Sequence, residues 1–226
     1  MLQTICLKFS GGCMMVMRQQ GDAVHFLGTA FLVHEAGYLL TVAHTLPREG
    51  KLLVVPGDPG ADFTPVSQKR VTTLPVSIVQ RDPDRDVALL RIDQPMEMRL
   101  PDHFLGTAEN MCLGGSVMTM GYSFGHQTLH TLVAMGAVVS AKVLSNNQSR
   151  LLLFDTMVHD GDRGGPLISV ADGLVVGIIN GRFDPLEASR EYTDGSKTVA
   201  ANTNISYAIA VEYGIELMEK EGLKAH

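Results

Sequence analysis

This sequence predicts an all-β protein built from barrels or sandwiches, and three observations carry that prediction. Short runs rich in Val, Ile, Leu, Thr and Met alternate with turn signals along most of the 226 residues. Gly-containing turns, Glu35-Ala36-Gly37, Ala171-Asp172-Gly173 and Asn180-Gly181, stand where two such runs would fold back on each other. Helical periodicity is sustained only in residues 211–223, where Val211, Ile215 and Met218 fall on one face.

Taken in order, the strands are expected at residues 5–9, 14–18, 26–33, 38–42, 51–55, 75–80, 87–92, 116–122, 128–140, 151–156, 166–170, 173–180 and 205–210. Ser10-Gly11-Gly12 reads as a turn between the first two. The acidic run Asp82-Pro83-Asp84-Arg85-Asp86 enters a strand apolar on both faces, the mark of a buried position. Pro95, Pro101 and neighbouring charges interrupt the pattern over residues 95–105, dividing the chain into lobes of about 1–100 and 101–226. Residues 182–204 are polar and patternless, a loop long enough to suggest a partner-facing role. The 211–223 segment reads as a terminal helix docked on a barrel.

Composition narrows the function classes. Eighteen basic against 24 acidic residues give a net charge of −6 with no basic cluster, which argues against nucleic acid. Hydrophobic residues at 45% and charged residues at 19% describe a globular chain, and no apolar run approaches the ~18 residues of a membrane helix. Cys6, Cys13 and Cys112 cannot all pair and form no C-x-x-C. Together with the lack of a leader-like N-terminus they favour a reducing, cytoplasmic compartment, with the periplasm open if a leader was removed. No cofactor is expected. The group His159, Asp160 and Asp162 and the pair His126/His130 lack the placement of metal ligands, and Gly195-Ser196-Lys197-Thr198 lacks the glycine and strand of a phosphate loop. The twelve methionines read as core and strand filler.

Three segments carry chemistry. The run Gly28-Thr29-Ala30-Phe31 leads through a turn to Thr41-Val42-Ala43-His44, an apolar hairpin delivering an imidazole. Alone, such a histidine is more often structural. Asp86 stands at the mouth of a buried strand, as a partnered carboxylate or as a plain cap. Asp160-Gly161-Asp162-Arg163-Gly164-Gly165-Pro166 packs three glycines into five residues, the freedom a loop needs to converge its amides on one oxygen.

In this order the segments resemble the trypsin-like serine peptidases, and more closely their Deg/HtrA-type branch. The likeness extends through Met120-Gly121-Tyr122-Ser123-Phe124-Gly125, Met135-Gly136-Ala137-Val138-Val139-Ser140 and Ile205-Ser206-Tyr207-Ala208-Ile209. It implies two six-stranded antiparallel barrels with a C-terminal helix. It implies His44 as general base, Asp86 as its orienting acid, and the amides of Gly161, Asp162 and Arg163 around an oxyanion hole. Met157 and Val158 would line an apolar specificity pocket, and Ile179, Asn180 and Gly181 would pair with substrate backbone. Peptides or unfolded segments would be the partners, a homotrimer the assembly, and no PDZ domain fits within the chain.

One departure dominates this reading. Arg163 stands where the family carries its nucleophilic serine. A guanidinium offers no lone pair for attack and stays protonated, and loss of such a nucleophile costs about 10⁶-fold in kcat. Ser123, Ser140 and Ser169 lie outside the Gly-flanked loop. Two readings remain: an inactive homologue that binds peptide in a retained cleft, or an endopeptidase with an apolar P1 preference whose serine was changed to arginine.

Overall fold

The structure is a computed structural model and describes residues 1–57, 63, 71–95, 98–183 and 203–224. Helix α1 (Leu2–Phe9) and a 3-10 turn (Ser10–Gly12) precede β1 (Cys13–Gln20), β2 (Ala23–His34), β3 (Tyr38–Val42), β4 (Lys51–Val55), β5 (Leu74–Asp82) and β6 (Val87–Ile92). A connection then leads to β7 (Ser116–Gly121), β8 (Val133–Leu144), β9 (Arg150–Phe154), β10 (Pro166–Ser169), β11 (Val175–Arg182), β12 (Ser206–Ala210) and helix α2 (Glu212–Lys220). No helix among the described residues is long and apolar enough to cross a membrane.

Strands β1 to β6 close one antiparallel barrel in the order β1-β2-β3-β6-β5-β4, and β7 to β12 close another with the corresponding connectivity. Closure matters because it leaves no edge strand to be capped. The period-2 geometry of a strand explains why β1 and β6 read as apolar on both faces. Along β1, Met14 and Val16 point into the first barrel with Leu32, Leu39, Val54 and Leu90. Cys13, Met15 and Met17 alternate outward into a larger cluster that includes Phe104, Met120, Ile178 and Leu217. The two barrels are therefore joined by buried apolar surface, and polar side chains between them need specific partners.

Three expectations are corrected. Residues 5–9, read as a strand, belong to α1: Ile5 and Phe9, four apart, are its buried face, while Leu2 and Leu7 are exposed. A short apolar run cannot by itself separate the two periods. Asn180-Gly181 does not close a hairpin but lies inside β11, where a bulge between Ile179 and Gly181 re-aims the strand against β12. The strand expected over 128–140 begins only at Val133, because a 3-10 turn (Gly125–Gln127) ends on Thr128 at φ +65°. The turns at Gly37 (φ +83°) and Gly173 (φ +70°) are left-handed and join β2 to β3 and β10 to β11 as expected. Most of the 182–204 loop and the Gly195–Thr198 tetrapeptide lie outside the described residues.

Candidate active site

His44 follows the buried strand β3 by two residues, and its segment is held from below. The Arg81 guanidinium donates to the carbonyls of Ala43 at 2.6 Å and Leu46 at 2.9 Å. Asp86 precedes β6 with φ at +57°, a left-handed conformation that side chains rarely adopt. That backbone turns both ends of the residue toward His44. The Asp86 carbonyl accepts from the Ala43 amide at 3.2 Å. Its Oδ1 accepts from the His44 amide at 2.7 Å, and its Oδ2 lies 2.6 Å from His44 Nδ1. An imidazole so held keeps Nε2 free to take a proton when Nδ1 donates to the carboxylate.

A third partner was not legible in the sequence. Asn180 of β11 donates from Nδ2 to the same Asp86 Oδ2 at 2.5 Å, and Tyr207 of β12 donates its hydroxyl to Asn180 Oδ1 at 2.6 Å. The second barrel thus completes the hydrogen bonding of an acid carried by the first. The bulge at Asn180 is what aims that amide, a feature no strand pattern predicts.

The glycine-rich loop lies across from this pair and is fixed at almost every peptide. Asp160–Asp162 wind as a single 3-10 turn, with the Asp162 amide donating to the His159 carbonyl at 3.0 Å. Thr29 stitches the loop to the first barrel: its amide donates to the Arg163 carbonyl at 2.8 Å, and its hydroxyl donates to the Gly161 carbonyl at 2.7 Å and accepts from the Tyr122 amide at 3.0 Å. Thr41 in turn donates to the Thr29 carbonyl at 2.7 Å. On the other side, the Gly164 amide donates to Ile179 and the Ile179 amide to Gly165. Gly164 adopts φ +86°, and a Cβ there would meet the Thr29 carbonyl and Thr41 hydroxyl at 2.1 Å.

Asp162 is 1% exposed and turned away from the cleft. The Ser123 hydroxyl donates to its Oδ1 at 2.6 Å and the His159 amide to its Oδ2 at 2.8 Å. Burial nevertheless pushes its carboxyl above the ordinary range, against the opposing pull of those two donors. The Arg163 side chain extends over β11 instead: Nη2 pairs with Asp160 Oδ1 at 2.9 Å, and its guanidinium lies against the bare Cα of Gly181. Met157 is exposed, whereas Val158 is buried in the core with its amide donating to Ser206 Oγ at 3.1 Å. The structure therefore brings together His44, Asp86, Asn180, Gly181 and the Gly161–Gly165 loop, and directs Val158 away from them. Among the described residues no group of His, Cys, Asp and Glu converges as metal ligands would.

With this geometry in view, the comparisons define the class of protein. The sequence pattern of the trypsin-like peptidase domain matches residues 28–178, and the chain belongs to that family. Several curated relatives carry names of the Deg/HtrA type. It is 31% identical over 166 residues to the "Probable periplasmic serine endoprotease DegP-like" of Chlamydia trachomatis, covering 71% of this chain and 29% of that protein. It is 29% identical over 157 residues to "Serine protease HTRA1B" of Danio rerio, covering 67% and 29%. The chain thus spans about three tenths of the length of these relatives. The solved structure "HtrA-type protease AlgW with tripeptide" superposes with a TM-score of 0.71 at 20% identity, over 97% of this chain and 63% of that one, which shares the fold.

Proposed function

We propose that this chain is a catalytically silent member of the trypsin-like, Deg/HtrA-type family that holds extended peptide segments in the cleft between its barrels. One observation carries the reading. Arg163 occupies the loop position where a nucleophilic hydroxyl belongs, and its backbone is locked there by the bond from Thr29 and by the left-handed Gly164. His44 and Asp86, in the roles of base and orienting acid, then have no hydroxyl in that loop to activate.

The turn at Asp160–Asp162 supports the same reading. In this 3-10 turn the Asp162 amide donates to the His159 carbonyl three residues back. That amide is then taken up within the loop and is not offered to an oxyanion. Peptide would add as a strand beside Ile179, Asn180 and Gly181, with Met157 at the apolar end of the subsite and Val158 supporting it from the core. Arg163 would have to leave its place over Gly181 for such a peptide to seat. Assembly as a homotrimer belongs to this reading and is read by light scattering of the purified chain.

A second reading is favoured by the intact hydrogen bonds among His44, Asp86 and Asn180: an endopeptidase with an apolar P1 preference, silenced at a single residue. One experiment separates the two. The protein and its Arg163→Ser variant are treated with a serine-directed phosphonate and assayed on casein and on a fluorogenic peptide with an apolar P1 residue. The protein itself should neither label nor cleave. Labelling and cleavage by Arg163→Ser alone favour the second reading; no labelling in either, with peptide binding measured by calorimetry, favours the first. Cleavage by the unaltered protein would sink both.

A further inference from the structure

Helix α2 follows the second barrel in the chain yet packs against the first. A Cβ on Gly214 would lie 2.5 Å from Leu40 Cδ1 of β3, so the helix backbone rests directly on the strand that leads to His44. Gln80 of β5 donates to Glu221 Oε1 at 2.5 Å just beyond the helix. Between these contacts Tyr213, 6% exposed, carries two guanidiniums on its ring: Arg85 with Cζ 4.5 Å from the centroid and Arg150 at 5.5 Å.

The two arginines differ in what they adjoin. Arg150 lies on β9 in the second barrel, where it pairs with Glu109 at 2.5 Å, lies 3.7 Å from Glu212 of α2 and donates its amide to the Tyr213 hydroxyl at 2.9 Å, all of them outside the Asp82–Asp86 turn. Arg85 immediately precedes Asp86. Its Nη1 is bonded to Glu216 of α2 and lies 3.7 Å from Asp82 Oδ2, while its amide donates to Asp82 Oδ1 at 3.0 Å. The Asp82–Asp86 turn is thus tied to α2 through one side chain, directly beside a residue held in the left-handed region. A left-handed aspartate persists only where its surroundings over-determine it, and this tie is next to it.

We propose that Tyr213 and Glu216 are positioning residues for Asp86: by clamping Arg85 they fix the left-handed turn and thereby keep His44 protonated on Nδ1. The helix acts on the imidazole without touching it. Any ligand or chain segment that shifts α2 would be felt at His44 through Arg85, whereas one that loosens Arg150 would not.

The test reads His44 directly, so it needs neither peptide nor activity, and its result is independent of the function proposed above. Protein labelled with ¹⁵N-histidine is examined by long-range ¹H–¹⁵N correlation at about pH 9, where imidazoles are neutral. His44 should appear as the Nδ1-protonated tautomer. In Arg85→Met and Glu216→Ala, at least half of that signal should convert to the Nε2-protonated form that an unrestrained side chain prefers. Arg150→Met, which loosens the same aromatic ring, and Tyr213→Phe, which keeps the ring and loses only the hydroxyl, should leave the tautomer unchanged. Arg85, Glu216 and Arg150 have side chains 39%, 43% and 35% exposed, so their replacement leaves the core intact. Retention of the Nδ1 form in both Arg85→Met and Glu216→Ala, or equal conversion in Arg150→Met, would overturn the proposal.

Discussion

At the scale of the residue, the loop's buried carboxylate is as consequential as its arginine. Asp162 is nearly inaccessible, and burial raises its carboxyl against the Ser123 hydroxyl and His159 amide. A carboxyl raised on folding binds its proton more tightly in the folded state. Its favourable contribution is complete below the ordinary aspartate value of about 3.9 and is lost as pH rises through the folded one. Ser123→Ala removes a donor to the charged form and so raises the group further. The variant should therefore be less stable by about 1–3 kcal/mol at neutral pH, with a smaller deficit at about pH 4, toward which the group takes up its proton. Urea denaturation at both values measures this, and equal deficits would refute it. The motif itself was readable as Asp160-Gly161-Asp162-Arg163-Gly164-Gly165. What could not be read was that Asp162 faces Ser123, 39 residues away, because that contact exists only once β7 lies beside the loop.

At the scale of the element, the glycine-rich loop works because its backbone passes where side chains do not fit. Gly164 combines φ +86° with neighbours at 2.1 Å that are themselves hydrogen-bonded to each other and cannot give way. Gly114 has a similar φ of +77° but open space around it. Left-handed strain alone costs roughly 1–2 kcal/mol, and overpacking adds about 1–3 kcal/mol. Gly164→Ala should consequently lose about 2–5 kcal/mol, against only the strain cost for Gly114→Ala, as read from urea midpoints. A loss at Gly164 no larger than at Gly114 would mean that the Thr29–Thr41 wall yields. Strands were the legible elements, since period and turn residues are local. Helix α1 was not, because Ile5 and Phe9 fit either period until their burial against the cluster is known.

At the scale of the whole molecule, the barrels share a buried apolar seam sewn by a few polar bonds, so they should lose structure together. Cysteine chemistry offers a way to see this. Cys13 of β1 is fully buried, and burial pushes its thiol up to about 12, whereas Cys112 is exposed. Only the thiolate reacts. In native protein a disulfide reagent should consume Cys112 at once and spare Cys13. In a Tyr38→Phe background, which removes the tyrosine of the first barrel, Cys13 should become reactive, as urea is raised, in step with the loss of the near-ultraviolet tyrosine signal of the second half of the chain. Reactivity of Cys13 well before that signal falls would show the first barrel opening by itself.

The sequence by itself determined the all-β class, the positions of most strands, two of the three hairpin turns and the identity of His44, Asp86 and the Arg163 loop as the chemically loaded segments. These follow from local pattern: alternation, turn chemistry and residue type within a few positions. Only the tertiary structure decided that Asn180 completes the bonding of Asp86 across 94 residues and that Thr29 carries the Gly161 carbonyl across 132. It alone set α2 against the first barrel, with Arg85 between helix and acid. The physical reason is that hydrogen-bond partners are chosen by where barrel closure leaves donors and acceptors facing one another in a dry seam, and closure couples residues whose separation along the chain carries no signal.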